Sequence, residues 1–275
     1  MSNRLTVQQI GDKKKEGQKI TMLTAYDYPM AAVIDKTGID IILVGDSVAN
    51  VVLGLESTRD VGMMEMLHHA KAVSRAVSHA VVVGDMPYES YQIGGDAPVD
   101  NAKRFIDEAG CDAVKLEWFE DCLAVTEKIV AAGIPVMGHV GLTPQTAEEF
   151  KVQGKNSVSA QAIVDQAKAL EAKGCFSVVM ECIPDRLAEM ITKKLSIPTI
   201  GIGAGPYCDG QVLVTHDLVG LYDAFRPKFA KRYLEVGTMM AQGIEQFHQD
   251  VINGKFPSKE HSFSINDEEL NKLNP

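Results

Sequence analysis

The chain has 275 residues, 45% of them hydrophobic and 23% charged, which is enough for one large core in a soluble globular protein. A net charge of −10 argues against nucleic acid or an anionic membrane surface as partner and leaves small molecules open. No apolar run approaches the roughly 20 residues of a membrane span, and the opening "MSNRLTVQQIGDKKKEG" lacks the apolar stretch of a secretory signal, so a cytoplasmic location is expected. The five cysteines, Cys111, Cys122, Cys175, Cys182 and Cys208, are scattered without a C-x-x-C pair and read as reduced, mostly buried thiols.

In chain order, "TVQQIGDKKKEG" reads as an extra helix ahead of the first strand, its "KKK" forming a solvated face. Eight short apolar runs follow: "KITMLTA", "DIILVG", "AVVVGD", "AVKLE", "IPVMGHV", "SVVMEC", "PTIGIG" and "QVLV". Amphipathic stretches such as "MMEMLHHAKAVSRAV", "PVDNAKRFIDEAG", "CLAVTEKIVAAG", "SAQAIVDQAKALEAKG" and "PDRLAEMITKKL" separate most of them, several ending at a glycine suited to a left-handed helix cap. Strands alternating with helices predict an α/β fold, a (β/α)8 TIM barrel, over residues 1–257 as one domain. Between the seventh and eighth strands "AGPYCDG" is too short for a helix. A long closing helix is expected over "KFAKRYLEVGTMMAQGIEQFHQDVING", and residues 258–275 form a polar tail.

In such barrels the loops after the strands carry the active site, so polar residues at strand C-terminal ends are the candidates. They are Asp27, Asp46 and Ser47, Asp85, Lys115 and Glu117, His139, and Glu181, from the first six strands in turn. A single "GD" after a strand is usually turn and helix-cap chemistry. Two on adjacent strands, with Glu117 on the next, favour Mg²⁺, which takes one or two carboxylates and fills its remaining sites with water and substrate. Lys115 and Glu117 share one strand face, where the lysine either meets a substrate carboxylate or makes a structural ion pair. Glu181, at the end of an apolar strand, is either a base made useful by burial or an acid at the start of the next helix. His139 either orients a ligand or is a satisfied core histidine. His68 and His69 fall on a helix away from the rim. The glycines of "GIGAG", residues 201–205, suit either a ligand's close approach or a tight turn.

These motifs, with "TMLTAYDYPMA", "VVLGLEST", "HHAKAV", "GDMPY", "GHVGLTPQ", "KVQG", "ECIP", "PKFAKRY" and "EHSF", resemble the ketopantoate hydroxymethyltransferase family over nearly the whole chain. The resemblance implies a barrel of the phosphoenolpyruvate/pyruvate type that forms Mg-dependent homo-oligomers, often decamers. It makes Asp46 and Asp85 ligands of Mg²⁺, puts Glu117 on the metal shell, assigns Asp46, Ser47, Asp85 and Lys115 to the 2-oxo acid, and makes Glu181 the proton acceptor. The implied reaction passes a one-carbon unit from 5,10-methylenetetrahydrofolate to 3-methyl-2-oxobutanoate through a Mg-stabilised enolate, giving 2-dehydropantoate and tetrahydrofolate in pantothenate biosynthesis. Another Mg-dependent C–C lyase or transferase on a 2-oxo acid, or a non-catalytic 2-oxo acid binder, are the alternatives. Two departures are local. "FKVQG", from Phe150 to Gly154, lacks a Gly-Gly-Tyr usual in the family, and Trp118 and Phe119 stand where glycines are usual; both are expected to touch loop closure and folate handling.

Overall fold

A computed structural model describes residues 4–147, 149 and 151–273. Helix α1 (Val7–Lys15) starts at a capping box in which Thr6 and Gln9 satisfy each other's backbone amides. The chain then alternates β1 (Ile20–Thr24), α2 (Tyr28–Asp35), β2 (Ile41–Val44), α3 (Val48–Val51), α4 (Met63–Ala76), β3 (Val81–Asp85), α5 (Tyr88–Tyr91), α6 (Ala97–Asp107) and β4 (Ala113–Glu117). It continues through α7 (Cys122–Ala131), β5 (Val136–Gly141), α8 (Ser157–Ala172), β6 (Ser177–Glu181), α9 (Asp185–Lys194), β7 (Thr199–Ile202), β8 (Gly210–Leu213) and α10 (Thr215–Val219). Two helices follow, α11 (Val236–Ile252) and α12 (Asp267–Asn271). The eight strands are parallel and close on themselves in sequence order, β8 pairing with β1.

Side-chain alternation along the strands divides the core in two. Ile42, Val44, Val82, Val114, Leu116 and Val178 point outward into the layer between barrel and helices. Ile20, Met22, Ile41, Leu43, Val81, Val83, Ala113, Met137, Val179, Ile200 and Val212 fill the inside, and Ile10 of α1 packs against them from below. Carried one or two steps further along each strand, the inward positions turn polar: Asp85 follows Val83, Lys115 and Glu117 follow Ala113, His139 follows Met137, and Glu181 follows Val179. The period-2 geometry that fills the barrel therefore also aims the candidate residues into its upper end.

Two expectations need correction. The lysines of α1 do not form one solvated face, because Lys13 pairs with buried Asp40, and Lys14 reaches Asp209 at 2.8 Å and the Thr192 carbonyl at 3.0 Å. Lys15 alone of the three stays outside, paired with Asp12 in the same helix. The closing helix begins only at Val236, since residues before it are tied to α10 and to the segment that follows α10. Tyr233 donates its backbone N–H to Leu218, and Arg232 bonds the Tyr222 carbonyl, Asp223 and Glu235. The tail after Pro257 is exposed but holds a short 3₁₀ turn (Lys259–His261) and α12.

Candidate active site

Asp85 and Lys115 are register partners on β3 and β4, and the Lys115 ammonium lies 2.8 Å from both Asp85 carboxylate oxygens. Asp85 Oδ2 also accepts from the Asp46 backbone N–H at 3.2 Å, which fixes the turn after β2 against the end of β3. Glu117 and His139 are register partners one step further round. His139 is held between two acids, with Nδ1 3.4 Å from Glu117 Oε1 and Nε2 3.3 Å from Glu181 Oε2. Asp46, Asp85, Lys115, Glu117 and His139 are all buried, while Glu181 keeps part of its side chain open.

Charge sets the chemistry of this cluster. Burial, reinforced by Asp46 and Glu117, pushes the Asp85 carboxyl up to about 7 against the pull of Lys115. Burial likewise raises Glu117, although His139 opposes it. For Lys115 burial favours the neutral amine, but Asp85, Glu117 and Asp46 outweigh it and the shift is upward. Burial and Lys115 also disfavour a charged His139, yet Glu117 and Glu181 prevail and push it up to about 9. The two flanking acids thus favour the charged form of the histidine.

The other expected residues separate. Ser47 precedes α3 without capping it, and its hydroxyl lies 2.8 Å from that of buried Tyr26. Asp27 is a helix cap, accepting from the Met30 N–H of α2 at 2.8 Å, and stays outside the cluster. Glu181 does not cap α9, which starts at Asp185. His69 bonds the Tyr26 carbonyl at 2.7 Å and His68 is exposed, consistent with packing and surface roles. In "GIGAG" a Cβ at Gly205, where φ is +77°, would come within 2.4 Å of Asp185, so the tight-turn reading holds there. Trp118 and Phe119 pack partly buried against the outer core rather than standing open on the rim. Phe150, at the shortened loop, lies outside the described residues.

One residue of the cluster was not picked out by strand-end position, although it closes the motif "GHVGLTPQ". Gln145, fully buried in the loop after β5, donates its side-chain amide to Asp46 Oδ2 at 2.8 Å and its backbone N–H to Glu117 Oε2 at 2.9 Å. Backbone geometry singles out a second position: Cys182, next to Glu181, has φ +48°, a left-handed conformation held by no other non-glycine among the described residues. Around it the Glu181 carbonyl accepts from Leu142 N–H at 2.9 Å, an approach that a Cβ at Gly141 would block at 2.3 Å.

Among the described residues no three His, Cys, Asp or Glu side chains close round one point as a complete metal cage. A small hard cation that keeps its waters does not need one. The donors present suit it: Asp46, Asp85 and Glu117 offer only oxygen, and with Glu181 these acids outnumber the cationic partners Lys115 and His139.

A closed parallel barrel whose carboxylates gather at the C-terminal ends of its strands defines a TIM-barrel protein with an acidic, enzyme-like site. Solved structures share the fold. A phosphonopyruvate hydrolase complex with oxalate and Mg²⁺ matches with a TM-score of 0.61 at 12% identity, covering 98% of this chain and 95% of that one. A 2,3-dimethylmalate lyase of the PEP mutase/isocitrate lyase superfamily matches with a TM-score of 0.59 at 13% identity over 98% and 94%. The ketopantoate hydroxymethyltransferase family profile matches residues 4–259. The 3-methyl-2-oxobutanoate hydroxymethyltransferase of Syntrophomonas wolfei is 49% identical over 273 residues, 98% of this chain and 99% of that one. Its namesake from Thermoanaerobacter sp. is 52% identical over 255 residues, 92% and 93% of the two chains. The chain belongs to the ketopantoate hydroxymethyltransferase family and is an enzyme.

Proposed function

We propose that this enzyme transfers a hydroxymethyl unit from 5,10-methylenetetrahydrofolate to 3-methyl-2-oxobutanoate, giving 2-dehydropantoate and tetrahydrofolate in pantothenate biosynthesis. The observation that carries this reading is the buried excess of carboxylates beside a partly open one, Glu181, at the mouth of the barrel. Mg²⁺ held by Asp46 and Asp85, with Glu117 on its shell, would supply Lewis-acid stabilisation of the charge that builds on the 2-oxo group as the C3 proton leaves.

The protein's own part begins with Lys115 and Ser47, which with the two aspartates bind and orient the 2-oxo acid. Glu181 takes the C3 proton. His139 Nε2, 3.3 Å from Glu181 Oε2, orients that carboxylate. The carbanionic C3 then bonds to the donor's methylene carbon, both bonds from that carbon to the folate nitrogens break, water supplies the oxygen of the new hydroxyl, and the two protons released, one from C3 and one from water, end on the two nitrogens. A polar cleft of about 360 Å³ is lined by Thr143, Thr146 and Gln153 among others, and by Gly141, the register partner of Glu181; it would admit the donor.

Exchange of the C3 hydrogen of 3-methyl-2-oxobutanoate in D₂O, followed by proton NMR with Mg²⁺ and without folate, tests the assignment of the base. Glu181→Gln keeps the side chain's size, so exchange is expected to fall by about 10²- to 10⁴-fold while the oxo acid still binds. Exchange at the parent rate would remove Glu181 from the mechanism.

A homo-oligomer, decameric as the resemblance implies, belongs to the same proposal. Support comes from α11, where no residue is buried in the single chain and Met239, Met240, Ile244, Phe247, Val251 and Ile252 are exposed. Sedimentation velocity would give the size of the assembly. No described helix is long and apolar enough to cross a membrane, in keeping with the proposed cytoplasmic location.

A further inference from the structure

Gln145 spends every polar atom it has on the acidic cluster and its supports. Besides the bonds to Asp46 and Glu117, its amide nitrogen donates to the Met86 carbonyl at 3.2 Å. Its amide oxygen accepts from the Tyr91 hydroxyl, and its backbone carbonyl accepts from Arg59 Nε. The loop after β5 is thereby joined to acids delivered by β2 and β4 and to the backbone that follows β3.

Only an amide suits this place. Asp46 and Met86 both present acceptors, so the NH₂ end must face them, and the carbonyl end then requires a donor, which the Tyr91 hydroxyl is. A carboxylate at 145 would set like charges together in a buried site, and a hydrocarbon would leave Asp46 Oδ2 and the tyrosine hydroxyl unpaired. With Oδ2 engaged, Asp46 Oδ1 accepts no hydrogen bond from the described residues. Behind Tyr91 stands Phe119, at a position where the resemblance leads one to expect glycine, packed edge-on with ring centroids 5.3 Å apart.

We propose that Gln145 is a positioning residue that presents Asp46 and Glu117 in their ligand-binding conformations, with Tyr91, braced by this chain's own Phe119, holding the amide in place. The inference rests on the metal-site reading above. It also accounts for what Phe119 does here: the ring lies behind the site and stiffens it.

The test measures Mn²⁺ affinity by EPR for the full chain with 3-methyl-2-oxobutanoate present, in Gln145→Glu, Tyr91→Phe and the double variant, together with metal-free crystal structures of the parent and Tyr91→Phe. Losses of supporting hydrogen bonds behind a metal ligand typically cost about 10- to 100-fold in affinity, the range expected for Gln145→Glu. Tyr91→Phe, which keeps the ring and its packing, should lose severalfold, and the double variant should be no worse than Gln145→Glu, since Tyr91 acts through Gln145. A merely structural role would give single effects that multiply. Parent-like affinity in either single variant, or multiplying losses, overturns the proposal. If the parent binds no Mn²⁺, the metal reading fails by itself, and the crystal structures still decide: an unmoved Asp46 and Gln145 in Tyr91→Phe overturns the positioning role, and a displaced pair supports it.

Discussion

The two ends of this barrel use the same side chains to opposite effect. At the lower end, where the strands begin, each acid is matched. Asp40 accepts from Lys13 and from the Thr21 N–H and hydroxyl, and Asp209 does the same with Lys14 and Thr199. Asp112 takes Arg4 and the Val82 N–H, and Asp35 receives the backbone N–H groups of Ser78, His79 and Ala80. At the upper end Asp46, Asp85, Glu117 and Glu181 crowd round one lysine and one histidine. Hydrogen bonds to Asp35 overcome its burial and lower its pKa, whereas burial and like charges raise that of Asp85. Below, each acid has a cation or a set of backbone N–H groups to itself; above, four acids share two cationic partners.

Removing one acid from the top should have the largest effect. Asp85→Ala is expected to abolish Mg-dependent binding of 3-methyl-2-oxobutanoate while the protein stays folded, and calorimetry with Mg²⁺ present would show any affinity that persists. Strain is the next contrast, since the left-handed Cys182 lies at the top. Cys182→Gly relieves about 1–2 kcal/mol of unfavourable backbone and should raise Tm. Freed from that turn, Glu181 should lose alignment and lower kcat by as much as roughly 100-fold, read from steady-state kinetics.

Asp35→Asn sharpens the contrast from below. It should cost about 2 kcal/mol in a urea melt, the scale of hydrogen bonds to a charged group, and leave kcat alone. The smallest effect is a matter of sign with pH in metal-free protein. Asp35, with a lowered folded pKa, contributes stability that is complete above its unfolded value of 3.8 and fades as pH falls below it. Asp85, raised to about 7, binds its proton more tightly when folded, so its contribution is lost as pH rises from 3.8 through about 7. Melting curves from pH 3 to 8 should flatten between about 4 and 7 in Asp85→Asn and below about 4 in Asp35→Asn. A shared response would erase the distinction between the two ends.

Most of the barrel was legible because buried parallel strands announce themselves as apolar runs, and the residue that ends such a run shows where the rim lies. Asp46, Asp85, Lys115, Glu117, His139 and Glu181 follow from that rule together with the two-residue period. Asp27 satisfied the same rule and turned out to be a helix cap, since a strand end and a helix start can be one residue. Gln145 lay outside it. Its loop has no periodicity, and its role comes from long-range bonds such as the one to Asp46, 99 residues earlier. The start of α11 was misplaced for a related reason: helix-forming residues before Val236 are held open by Arg232 and Tyr233 contacts that no local pattern encodes.

Closure of the barrel through β1 and β8 also fixes when the molecule can be completed during its synthesis. Thr24 at the end of β1 receives the backbone N–H of Thr215, a residue 191 positions later. At typical translation rates the two are made roughly 10–40 s apart. For that interval β1 lacks its β8 partner, and Asp40, at the foot of β2, is made long before Asp209 exists to receive Lys14. The last strand to leave the ribosome, not the first, decides when this protein stops being vulnerable.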